Sequence, residues 1–168
     1  GRVRVACSLV KPTLESSKIM MSHKDIHLIA ATGGPGVVTA VLSSGKRGIG
    51  AGAGNPPALV DETADIRKAA ADIVNGCTFD NNLPCIAEKE IVAVDSIADE
   101  LMHYMVTEQG CYPASKEIVD KLTATVLTPK GLNRKCVGRS AKTLLAMVGV
   151  EVSDDIRCIV FEGVKEHP

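Results

Sequence analysis

Aromatic residues make up 2% of this 168-residue chain, and tryptophan is absent. Base-stacking platforms need such rings, so recognition of single-stranded nucleic acid is excluded. The formal net charge is −1, with no long block of one sign, which also removes the basic footprint of a duplex binder. No apolar run approaches the ~20 residues of a membrane span, and no secretory signal is visible. The chain is therefore expected to be soluble and cytoplasmic, with no nucleic-acid or membrane partner. None of the six cysteines, Cys7, Cys77, Cys85, Cys111, Cys136 and Cys158, forms a CxxC pair or lies at ligand spacing from a histidine. No metal site is expected, and neither is a disulfide framework.

What remains is 45% hydrophobic, rich in Val, Ile, Leu and Ala, with 15 glycines. Small apolar residues and glycine suit close helix-on-sheet packing. Arg2–Val10 reads as a strand, Pro12–His23 as a short helix, Ile26–Gly34 as a buried parallel strand, and Val37–Gly45 as a helix. A glycine-dense stretch, Lys46–Val60, opens a second unit. A helix then places Ile66, Ala70, Ile73, Val74 and Cys77 on one face, which assigns Cys77 to the core. Lys89–Ser96 reads as a strand, and Ser96 with Asp99 as a capping pair for the helix bearing Ile97, Leu101 and Met105. Further helices follow through Ile118, Leu122 and Val126 and through "SAKTLLAMVGV", and Ile156–Gly163 is a last strand. Alternating strands and helices predict an α/β fold, a mostly parallel sheet flanked by helices.

Three stretches carry chemical interest. "ATGGPG" (Ala31–Gly36) lies between a strand and a helix, where glycines let backbone approach an anion and free helix N–H groups point at it. It is neither GxGxxG nor a Walker motif, so a plain tight turn is the competing reading. "GAGAGNPP" (Gly50–Pro57) alternates glycine and alanine where a strand should gain bulk, which implies a close approach by backbone or ligand. No carboxylate or imidazole lies between Lys46 and Asp61, so this stretch cannot supply a general base. In "FDNNLPCIAEKE" (Phe79–Glu90), Pro84 sets up a turn and Asn81 and Asn82 favour turn geometry. Cys85 could be a thiol activated by free backbone N–H groups, or a small apolar side chain entering the core.

Those stretches, with "KRGIGAGAGNPPALVDETADIRKAAADIV" and "FDNNLPCIAEKEIVAVDS" in that order and spacing, resemble the aldehyde dehydrogenase superfamily. More narrowly they resemble the CoA-acylating aldehyde dehydrogenases of ethanolamine and propanediol utilisation. The resemblance implies that Cys85 is the catalytic nucleophile and that Thr32, Gly33 and Gly34 face the pyrophosphate–nicotinamide part of NAD. It places Gly52, Ala53 and Gly54 at the cofactor, where hydrolytic members carry a Glu-Leu-Gly-Gly stretch whose glutamate activates water. That glutamate is missing here, so the implied reaction is a small aldehyde with NAD and coenzyme A giving acyl-CoA and NADH through a cysteine thioester. The resemblance further implies a fragment. Residues 1–45 would be the C-terminal part of the dinucleotide-binding domain and residues 46–168 the N-terminal part of the catalytic domain. The fragment is expected to be inactive alone, and its parent enzyme a homo-oligomer, possible cargo of a bacterial microcompartment. A hydrolytic aldehyde dehydrogenase and a non-catalytic nucleotide-binding or assembly module of the same fold are the alternatives.

Overall fold

A computed structural model describes residues 12–129 and 131–163. The strand expected at Arg2–Val10, with Cys7, lies outside them. The chain divides into two compact units, Gly1–Gly54 and Asn55–Pro168.

In the first unit, α1 (Leu14–Ser22) starts at a capping box. Thr13 Oγ1 accepts from the Ser16 amide at 3.1 Å, and Ser16 Oγ accepts from the Thr13 amide at 2.9 Å. Strand β1 (Leu28–Thr32) pairs in parallel with β2 (Arg47–Ala51), Leu28 opposite Arg47 and Thr32 opposite Ala51. Parallel neighbours need a crossover, and α2 (Pro35–Leu42) supplies it. This helix begins two residues before the expected Val37, because Pro35 has the φ of a first helical residue and no N–H to leave unsatisfied. The pairing of β2 with β1 carries the first compact unit past Lys46 to Gly54.

In the second unit, β3 (Pro57–Val60) and β4 (Glu90–Ala93) are parallel, Leu59 opposite Val92. Their crossover is α3 (Ile66–Cys77), capped by Asp65, followed by a 3-10 turn over Phe79–Asn82. Helix α4 (Asp95–Gln109) packs on α3, and together they bury Val60, Ala70, Ile73, Val74, Ile97, Leu101, Met105 and Cys111. Each fully buried aliphatic side chain there contributes about 1.5–3 kcal/mol by leaving water. The expected Ser96–Asp99 cap is not used. The Val94 amide still donates to Val60 O at 3.1 Å, so the ladder runs directly into a helix that opens at Asp95 with no side-chain cap. Asp95 instead places its charge in the first turn, where the helix dipole favours it.

Gly110 ends α4 in the left-handed region, at φ 72°, and a Cβ there would stand 2.5 Å from Asp155 O. Strand β5 (Cys111–Pro113) pairs in parallel with β8 (Cys158–Val160). Between them lie α5 (Lys116–Val126), the antiparallel pair β6 (Leu127–Thr128) and β7 (Gly131–Leu132), and α6 (Ala141–Met147). Among the described residues the strands form four two-stranded ladders, three of them parallel, which is the expected α/β class. No described helix is long and apolar enough to cross a membrane.

Candidate functional site

Cys85 sits between the end of α3 and the start of β4. The helix ends where Thr78 turns back, its amide and Oγ1 donating to Val74 O at 3.0 and 2.6 Å. Asp80, Asn81 and Asn82 then take left-handed conformations in succession, with φ of 48°, 51° and 60°. Asp and Asn tolerate this region better than other side chains, so three such residues let the chain reverse tightly. Asn82 fastens the reversal, its Nδ2 donating at 2.8 Å to both Cys77 O and Glu88 O. Asn81 Nδ2 donates to Gly138 O at 3.1 Å. Lys89 Nζ donates to Pro84 O at 3.3 Å and to Ala87 O at 2.9 Å, and the Ala87 amide closes the turn onto Pro84 O at 3.2 Å.

The turn holds Ala87 down in the protein, 4% exposed, and leaves Cys85 outside. Cys85 alone among the described cysteines is exposed; Cys111 and Cys136 are buried, and Cys77 and Cys158 are half-buried. Cys77, expected in the core, instead meets Cys158 at its edge. Glu88 folds back over α3, and a Cβ on Gly76 would run into its carboxylate.

Thr32, Gly33 and Gly34 lie in the first unit at the carboxyl end of β1. Thr32 and Gly34 are exposed, and the Gly33 amide donates to Ala51 O at 3.0 Å. Gly34 caps α2 with no side chain, and a Cβ there would meet nothing within 4 Å, so the turn is open at the helix N-terminus. In a parallel α/β unit, ligands bind at this end of the strands. The concavity of about 580 Å³ lined by Ile26, His27, Leu28, Gly45, Lys46 and Arg47 lies at the other end of β1 and β2, away from that turn.

Gly50 of the second stretch, and Gly48 just before it, lie under α2. A Cβ on Gly48 would come 2.8 Å from Val41 Cγ1, and one on Gly50 3.0 Å from Val38 Cγ1. The close approach expected there is made by α2 packing on its own strand. Gly52, Ala53 and Gly54 follow the strand, exposed and without regular structure. Cys85 belongs to the second unit and these residues to the first.

His23, His27, His103, Arg134, Lys135 and Arg139 are exposed surface groups. No three His, Cys, Asp or Glu residues among those described are placed to hold a metal. Two features escaped the sequence reading, the Asn82 clasp and a meeting of Cys77, Cys111 and Cys158. Consecutive asparagines before the Pro-Cys turn were the only signal for the first.

The model of the aldehyde dehydrogenase family matches residues 4–115, a span that contains the Thr32–Gly34 turn, the glycine-rich stretch and Cys85. The chain belongs to the aldehyde dehydrogenase family. Among its relatives, the CoA-propanoylating propanal dehydrogenase of Citrobacter freundii is 49% identical over 153 residues, 90% of this chain and 33% of that protein. A propionaldehyde dehydrogenase from the fucose-utilisation microcompartment of Clostridium phytofermentans superposes with a TM-score of 0.93 at 76% identity, covering 100% of this chain and 39% of that one. The propionaldehyde dehydrogenase of Rhodopseudomonas palustris, solved with bound CoA and an acylated cysteine, superposes with a TM-score of 0.87 at 52% identity, covering 94% and 36%. The chain spans about a third of the length of the propanal dehydrogenases it matches and 17% of the bifunctional aldehyde-alcohol dehydrogenase of Escherichia coli.

Proposed function

We propose that this chain is the nucleophile-bearing part of a CoA-acylating aldehyde dehydrogenase. The observation that carries the reading is Cys85, an exposed thiol on a turn clasped by Asn82 in a chain whose other described thiols are buried or half-buried. The first unit would then end the dinucleotide-binding domain and the second begin the catalytic domain. The open turn Thr32–Gly34, with Gly52, Ala53 and Gly54, would receive NAD.

As a thiolate, Cys85 adds to the carbonyl carbon of a small aldehyde and forms a hemithioacetal. The Cys85 backbone N–H is available to the oxygen as negative charge develops on it. Loss of hydride from the former aldehyde carbon leaves a thioester on Cys85. NAD supplies the hydride acceptor and coenzyme A the thiol that takes the acyl group, so that aldehyde, NAD⁺ and CoA give acyl-CoA, NADH and a proton. Residues 47–60 contain no carboxylate or imidazole, so nothing in that stretch activates water to hydrolyse the thioester. The microcompartment origin of a relative at 76% identity supports the same packaging for the parent enzyme, which we read as a homo-oligomer.

The test takes the natural polypeptide that contains this sequence and follows NADH formation from propanal and acetaldehyde, with CoA present and omitted. Turnover should need CoA and fall at least ~10³-fold in Cys85→Ser, the scale of losing a covalent nucleophile. Sustained turnover without CoA would instead make the enzyme hydrolytic. No turnover in either case, with Cys85 no more reactive than the other thiols, would leave a non-catalytic module.

A further inference from the structure

Three thiols far apart in the sequence meet in the second unit. Cys111 opens β5 and Cys158 opens β8, and they are register partners in the parallel ladder. Their Sγ atoms are 3.1 Å apart. Cys77, the last residue of α3, lies beside this pair and donates its thiol proton to Val74 O at 3.5 Å. Arg157 holds its guanidinium beside them, Nη2 donating to Asn75 Oδ1 at 2.8 Å and to Thr78 Oγ1 at 3.1 Å.

Neighbouring strands lie about 4.8 Å apart, inside the range of roughly 4.4–6.8 Å that a disulfide requires between Cα atoms. The two sulfurs need approach by only about 1 Å to reach bonding distance. We propose that Cys111 and Cys158 form an oxidation site, at which a peroxide joins them in an intrachain disulfide.

The order of the thiols in the cluster gives each a role. The contact with Cys158 holds the Cys111 thiol below its ordinary value, with Arg157 acting in the same direction. That same contact, with burial, pushes Cys158 up to about 12. Cys77 is raised as well, first by the neighbouring Cys158 thiol and then by burial. Cys111, the lowered thiol of the pair, is taken as the attacking sulfur and Cys158 as the one that resolves it.

Cys111 thiolate attacks one oxygen of hydrogen peroxide, the O–O bond breaks, and Cys111 becomes a sulfenic acid with release of hydroxide. The Cys158 sulfur then attacks the Cys111 sulfur and displaces the hydroxyl, which leaves as water with the Cys158 proton. Two thiols and one hydrogen peroxide give one disulfide and two waters; the sulfurs lose two electrons and the peroxide gains them. Cys111 is 1% exposed, so peroxide reaches it when the three-residue β5–β8 ladder opens. The inference does not depend on the reading of Cys85.

The experiment treats the natural polypeptide with a few equivalents of hydrogen peroxide, quenches it, alkylates with iodoacetamide and maps unreduced peptides by mass spectrometry. The expected product is a peptide pair joined through Cys111 and Cys158, two hydrogens lighter than its parts and restored by dithiothreitol. In Cys158→Ser the resolving thiol is gone, and Cys111 should pass to sulfinic acid instead. Should that variant fail to fold, Cys77→Ala, which spares both partners, should still give the linked pair. Recovery of Cys111 and Cys158 both alkylated while Cys85 is oxidised would overturn the proposal. So would a link from Cys158 to Cys77.

Discussion

Asn82 donates through Nδ2 to the backbone carbonyl of Glu88 at 2.8 Å, across the turn that carries Cys85. The same nitrogen donates at 2.8 Å to Cys77 O, so one side chain ties the end of α3 to the entry of β4. Glycine at this position keeps the left-handed backbone and removes both bonds. At about 0.5–1.5 kcal/mol each, Asn82→Gly should lower stability by ~1–3 kcal/mol. Asn82→Ala should lose about 1–2 kcal/mol more, because its Cβ is strained at φ 60°. If Cys85 is the nucleophile, a turn released in Asn82→Gly should lower kcat by ~10–100-fold with less change in KM for the aldehyde. Urea unfolding and steady-state kinetics on the three proteins check this. Equal stabilities of the glycine and alanine variants would contradict the left-handed strain.

Strand β2 offers an internal comparison. A Cβ on Gly48 would meet Val41 Cγ1 at 2.8 Å, and Val41 is 1% exposed with nowhere to move. Gly48→Ala should therefore destabilise the first unit by about 1–3 kcal/mol through overpacking. A Cβ on Gly52 meets Val38 at an ordinary 3.7 Å, so Gly52→Ala should change stability far less. Thermal unfolding separates the two, and equal losses would mean α2 does not press on this strand as described.

The thiol cluster makes stability depend on alkaline pH in a signed way. Folding pushes Cys158 up to about 12 through its bond to Cys111, from an ordinary value of 9.0. Between those values the folded chain holds a proton that the unfolded chain has released, so this contribution is present below pH 9 and is lost as pH rises toward 12. Cys77, raised as well, acts in the same sense. Cys111 is lowered, so its contribution grows as pH climbs to the ordinary thiol value and is kept above it. Stability from the cluster should peak near pH 9 and then fall, by no more than about 1.4 kcal/mol per pH unit for each retained proton. Urea midpoints from pH 7.5 to 10.5 under reductant, for the natural chain and Cys158→Ala, would show it as a difference that reverses sign of slope. Parallel curves would rule the coupling out.

Much of this was legible along the chain because it depends on near neighbours. The apolar period of Ile66, Ala70, Ile73 and Val74 specifies the buried face of α3 whatever lies opposite. Glycines after a strand predict the open turn at Gly34, and Pro84 with two asparagines predicts a reversal before Cys85. The missing carboxylate in residues 47–60 is a fact of composition that no fold can alter. Where strong local signals competed, the sequence reading erred: Ser96 and Asp99 form a good cap on paper, but the bond from Val94 to Val60 O carries the strand into the helix before they are reached.

Tertiary structure decided whatever depends on partners distant in sequence. Gly50 reads as a place for close approach by backbone or ligand, and it is Val38 of α2 that comes down on it, as Val41 does on Gly48. In the sequence Cys77 reads as a core residue unconnected to Cys111 and Cys158, since no spacing rule links positions brought together by a helix end and two parallel strands. Cys85 could have gone either way from its local sequence. Its exposure follows from hydrogen bonds of Asn82 and Lys89 to carbonyls on either side of it, and those bonds exist only once α3 and β4 are packed in place.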